Sequence, residues 1–150
     1  KNAGFKGELS YFIDKENIKN SISFSTSFDY STKNAFYFLG SYLYNSNGQN
    51  ESNFLSLINI NANVLSPKNL MPSKHSYLLQ VSKPITPPLN SSLNILYGQG
   101  IKLLYISPTF SYDINSRLDA GIISQFFFLD NFGDFKNLLK GYYLQLKYSF

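Results

Sequence analysis

The chain contains no cysteine and no tryptophan, one methionine and one histidine. Without cysteine there is no disulfide, no thiolate nucleophile and no thiolate metal site. His75, alone with nine scattered carboxylates, offers no transition-metal spacing. Long apolar runs are also missing: the longest, such as 126–129, fall far short of the roughly 18 residues a membrane-crossing helix needs. Basic clusters are absent too. The net charge of +4 is spread over separated lysines, among them Lys15, Lys33, Lys68, Lys74 and Lys136, which excludes a nucleic-acid footprint.

What the chain does have is phenylalanine and tyrosine, 14 and 12 of them in 150 residues, set among serine and asparagine. Mean hydropathy stays near neutral at −0.16 because the two kinds of residue are interleaved. The interleaving has period two, the repeat of a strand with two different environments on its two faces. In 142–150, Tyr142, Leu144, Leu146, Tyr148 and Phe150 alternate with Tyr143, Gln145, Lys147 and Ser149. Between 21 and 30, Ile22, Phe24, Thr26, Phe28 and Tyr30 alternate with Ser21, Ser23, Ser25, Ser27 and Asp29. Phe5, Leu9, Tyr11 and Ile13 oppose Lys6, Glu8 and Ser10. Leu104, Ile106, Phe110, Tyr112 and Ile114 oppose Ser107, Thr109, Ser111 and Asp113, and Leu118, Ala120, Ile122, Phe126 and Phe128 oppose Asp119, Gly121 and Gln125.

Eight strands follow, at about 4–13, 20–30, 35–46, 75–83, 91–98, 102–114, 117–129 and 140–150, most near the 9–11 residues of a tilted transmembrane strand. If such a chain crosses a bilayer it does so as a closed barrel, the one strand-built form that satisfies every backbone group in lipid. The expected fold is therefore all-β: a transmembrane antiparallel up-and-down barrel of about eight strands, with 1–150 a single barrel domain or the C-terminal part of a larger one. A start at Lys1, without an initiator methionine or signal peptide, suits either a processed exported protein or a fragment.

Pro108 predicts a local distortion, since it cannot donate to the ladder. Ile114 and Leu118 are expected to pair across a three-residue loop at 115–117, which keeps both on one face. Short turns near 31–34, 84–90 and 115–117 would face the periplasm with the C-terminus, and the connections 14–19, 47–74, 99–101 and 130–139 would face outward. The apolar stretch 54–64 reads as part of a long extracellular loop at 47–74, because a ninth strand would make the count odd.

The residues expected to face away from lipid are Lys6, Glu8, Ser21, Ser23, Ser25, Ser27, Asp29, Gln80, Asn94, Thr109, Asp113, Asp119, Gln125, Gln145 and Lys147. They either fill a narrow interior or line a solute path. Asp113 and Asp119 should lie opposite one another and need a cation; Lys147 is the first candidate and Arg117 the second. No catalytic, cofactor or metal site is expected. His75 and Ser76 are sequence neighbours and so point to opposite faces of a strand. The turn 97–100 is too short for a phosphate loop, and 45–51 lacks the acidic ladder of a calcium loop.

The terminal run YYLQLKYSF resembles the C-terminal signature of bacterial outer-membrane β-barrel proteins, a final aromatic preceded by apolar residues at alternate positions. Residues 76–129, with a P-x-T-P turn at 84–87 and an S-P-x-x-x-Y strand at 107–112, look like the last strands of porin-like barrels. The resemblance implies an integral protein of a Gram-negative outer membrane with a periplasmic C-terminus. It also implies recognition of Tyr142, Leu144, Leu146, Tyr148 and Phe150 by the barrel-assembly machinery. The function it implies is passive: a porin-like channel, or a structural subunit anchoring an outer-membrane complex. Two other readings are a surface adhesin that binds through its extracellular loops, and a soluble β-sandwich.

Overall fold

The computed structural model describes residues 2–13, 20–50, 71–131 and 134–149. Every regular element among them is a strand, as the period-two pattern requires. They are β1 (Ala3–Phe12), β2 (Ser21–Ser31), β3 (Tyr37–Asn45), β4 (His75–Thr86), β5 (Leu89–Gly98), β6 (Leu103–Asn115), β7 (Leu118–Asn131) and β8 (Asp134–Tyr148). Each strand pairs antiparallel with its chain neighbour in a single sheet of order β1-β2-β3-β4-β5-β6-β7-β8.

The sheet is open, which corrects the expected closed barrel: β1 and β8 each have one partner and do not touch. A chain built only from hairpins fixes seven ladders locally, whereas closure would require an eighth between residues more than a hundred positions apart. No second layer packs on the sheet among the described residues, where Ile101 is the only buried hydrophobic.

Three further expectations are corrected. Of the expected loop 130–139, residues 130–131 belong to β7 and 134–139 to β8; the two strands pair as far as Asn131↔Asp134, with a bulge on β8 between the partners of Phe127 and Phe128. The alternation breaks at that bulge, and that break hid the strand. β4 and β5 likewise run through the expected 84–90 turn to Thr86↔Leu89, leaving only Pro87 and Pro88 between them. Ile114 does not pair with Leu118; Asn115 does, and Ile114 sits in a bulge. Asn115 makes this turn by accepting the Arg117 and Leu118 N–H groups at 2.9 and 3.0 Å on its side-chain oxygen.

The Pro108 distortion is present and one-sided. The ladder to β5 runs unbroken through Leu93↔Pro108, whereas the ladder to β7 passes from Ile106 to Thr109 with Ser107 and Pro108 unpaired. The missing N–H is the one that would face β7. Residues 54–64 lie outside the described residues.

Candidate functional site

Paired residues in an antiparallel ladder share a face, so the seven registers sort every strand residue. Face A carries the apolar set from β1 to β8: Phe5, Leu9, Phe24, Phe28, Phe38, Leu79, Leu93, Ile95, Ile106, Phe110, Ile122, Leu144 and Leu146 among others. Most of the exposed large apolar residues belong to it, with Phe5 at 76% and Leu144 at 75%. Seven strand spacings of about 4.8 Å and nine residues of about 3.3 Å make a greasy sheet of about 1,000 Å². Soluble monomers rarely expose patches beyond about 300–600 Å².

The apolar belt crosses the sheet obliquely. Following partners from Phe5 leads through Phe28, Gly40, Leu79, Ile95, Ile106 and Phe126 to Lys140. The belt is centred near residue 8 on β1 (Phe5, Leu9, Tyr11) but near residue 145 on β8 (Tyr142 to Tyr148), and the position level with residue 8 there is about 137. The centre therefore shifts by about eight residues, or about 26 Å, over seven strand steps spanning about 34 Å. With the belt level, the strands lean by about 38°, within the roughly 35–45° of transmembrane barrels.

The lean has a hand. Ser31 N–H donates to Asn2 O at 2.7 Å, so the even residues of β1 direct their amides toward β2. For L-residues this places β2 to the left of β1 when face A is viewed with β1 running upward. The belt descends leftward, so the levelled strands rise to the right. Face A outward thus gives a right-handed coil, the sense that strand twist imposes on barrels.

Nine tyrosines lie on face A, and the tilt sorts them into rows. Tyr11, Tyr44, Tyr77, Tyr97 and Tyr142 follow the upper margin of the belt, and Tyr30, Tyr112 and Tyr148 the lower. Tyr42 alone falls well inside, where its Oη and His75 Nδ1 share a hydrogen bond of 2.8 Å. Upper hydroxyls are tethered at the polar rim: Asn20 Nδ2 donates to Tyr11 Oη at 2.7 Å, and Tyr77 Oη donates to Gln99 Oε1 at 3.3 Å. At the lower margin Lys83 Nζ sits 4.3 Å from the Phe36 ring centre.

Face B carries all fifteen residues expected to face away from lipid, from Lys6 to Lys147, on one side of the sheet. Asp113 lies opposite Asp119, and Asp119 opposite Lys147. Lys147 Nζ is 3.9 Å from Asp119 Oδ2, beside a depression of about 170 Å³ that Ser111 and Gln145 also line. Both side chains are solvated, so this pair contributes about 0.2–1 kcal/mol. Arg117, the second candidate, lies in the β6–β7 turn, where its backbone N–H donates to Asn115 Oδ1.

Sequence reasoning missed the upper half of face B. Leu43, Leu78, Leu96, Tyr105 and Phe127 lie there, Tyr105 and Phe127 with ring centres 4.7 Å apart. The signal was available as leucines at positions that alternate with the apolar set, but short two-sided runs obscure the period.

Above this region Asn45, fully buried, donates from Nδ2 to Met71 O at 2.8 Å and accepts the Asn47 N–H at 3.0 Å. Gln49 and Ser73 form an isolated parallel bridge. The segment evoking a calcium loop is thus a structural clasp, and no cluster of metal-ligating residues occurs among the described residues. His75 lies on face A and Ser76 on face B. Lys102, in the β5–β6 turn, holds Asp130 at 2.9 Å, and that hydrogen bond raises its ammonium pKa above the ordinary lysine value.

Tyr142, Leu144, Leu146 and Tyr148 line face A of β8, and Phe150 lies outside the described residues. No family model, no curated protein and no solved structure matches the chain.

Proposed function

We propose that this chain is an integral outer-membrane β-barrel protein whose role is structural: a membrane-embedded wall that anchors an outer-membrane assembly. The observation that carries the reading is the oblique apolar belt with tyrosines along both margins. Nine residues per strand at a tilt of about 38° span about 23 Å, close to the roughly 25 Å apolar band of such barrels. Aromatic rows at both margins place amphipathic rings at the headgroup level. A soluble sandwich would need a second layer over face A, and the described residues supply none.

The three connections at the end of the sheet that holds the C-terminus are all short, 32–36, 87–88 and 116–117. The two longest, 13–20 and 46–74, lie at the other end beside the short 99–102 and 132–133. The placing of the long ones supports a periplasmic assignment for the C-terminal end. The apolar upper half of face B favours an anchor over a channel, since Leu43, Leu78, Leu96 and Phe127 do not line a continuous water file. The serine- and carboxylate-rich lower half favours a porin-like channel as the second reading. An adhesin role would rest on 47–74, of which 51–70 lies outside the described residues.

Refolding from urea into phosphatidylcholine vesicles tests the reading. The protein should float with the vesicles and resist extraction at high salt and alkaline pH. A monomer that stays soluble without detergent would overturn the proposal. In planar bilayers the anchor role is expected to give no single-channel steps, and regular conductance steps would assign the channel.

A further inference from the structure

We infer that the two free edges of the sheet are mates, and that β8 closes onto β1 of the same chain with Glu8 opposite Lys147. The inference rests on the membrane reading, in which edges left unpaired in lipid are not tolerated.

Direction and amide polarity fit. β1 and β8 run antiparallel in the up-and-down order. Asn2 O accepts from Ser31 N–H, and Ser149 N–H donates to Arg117 O. The odd residues of β1 and the even residues of β8 therefore direct their amides outward from the two edges. An odd β1 residue opposite an even β8 residue satisfies both rows at once, and it also keeps face A continuous with face A.

The tilt then sets the stagger. The belt drops by about one residue per strand, so the strand after β8 has its centre opposite about Leu146. The centre of β1 is near Glu8, a face-B residue, which must pair with a face-B residue, Gln145 or Lys147. Pairing Glu8 with Gln145 would set Lys6 against Lys147, two like charges directly opposed, which is destabilising. Pairing Glu8 with Lys147 opposes unlike charges and places Lys147 between Glu8 and Asp119. In that register Ser10 meets Gln145 on face B, while Leu9 meets Leu146 and Tyr11 meets Leu144 on face A. The resulting stagger of ten residues around eight strands corresponds to a tilt of about 41°, close to the lean measured within the sheet.

Because the chain lacks cysteine, the seam can be read by disulfide capture. The full chain carrying Ser10→Cys and Gln145→Cys is refolded into phosphatidylcholine vesicles and oxidised with copper phenanthroline. A monomer of altered, thiol-reversible mobility is expected, forming on the order of tenfold faster than with Ser10→Cys and Tyr143→Cys, whose Cα atoms would lie beyond bridging reach. A disulfide-linked dimer would overturn the inference by assigning the mating edge to a second copy. Floating protein without a cross-link would overturn it by placing other strands between the edges. Faster capture by the Tyr143 variant would overturn the register. Protein that fails to float refutes the membrane reading itself, so the two failures are distinct.

Discussion

Two glycines beside the β3–β4 clasp differ in what a methyl group would meet. At Gly100 an added Cβ would collide with the backbone carbonyl of Gln49, which cannot rotate away. At Gly98 it would meet Ser73 Oγ, the end of a side chain that can turn. Gly100→Ala should therefore cost about 1–3 kcal/mol as an overpacking change, and Gly98→Ala distinctly less. Urea unfolding midpoints in vesicles check this; equal losses would remove the clasp as a rigid contact. At the lower margin, Phe36→Leu should lose about 0.5–1 kcal/mol through the Lys83 cation–π contact. The test is a double-mutant cycle with Lys83→Gln: a coupling near zero would show that the contact carries no energy.

Within the strands, position relative to the belt decides the effect of a charge. Arginine at Ile122 or Leu144, near the centre of the belt, should cost about 2–4 kcal/mol, and at Tyr112 or Tyr148, near the margin, about 0–1 kcal/mol. Gln145→Arg, one residue from Leu144 but on face B, should cost little. Vesicle unfolding free energies across this series test the oblique belt. A cost that followed sequence level instead of tilted depth, with Ser124 and Tyr142 behaving as Val81 and Leu93 do, would refute it.

The elements show what period two could and could not say. All eight strands and the common face of the fifteen polar residues from Lys6 to Lys147 were legible, because a one-residue slip would have inverted every side chain. The strand ends were not. Leu138 at the β8 bulge shifts the alternation by one, and the strand beyond it read as loop. Thr86 and Leu89, on either side of two prolines, read as turn because composition outweighed pairing. The Asp119–Lys147 pair was legible because both residues lie in regular segments of adjacent hairpin strands.

For the whole molecule the pattern of each strand was less informative than the way the patterns are offset. No single segment reveals a tilt. It emerges only when seven registers are joined, and registers depend on bulges and turn lengths that composition does not specify. The same offset turns a list of tyrosines into two rows and converts an amphipathic sheet into a wall of defined inclination.

The up-and-down order has a consequence for how the molecule is made. Every ladder in the sheet joins strands that are consecutive in the chain, so each hairpin can zip onto the last with a small loop-closure cost. Sequential addition can thus keep pace with delivery of the polypeptide from one end. If the two edges join as proposed, that step alone would span nearly the whole distance from β1 to β8, and it is expected to be the slow event of biogenesis, at which an arrested intermediate would accumulate.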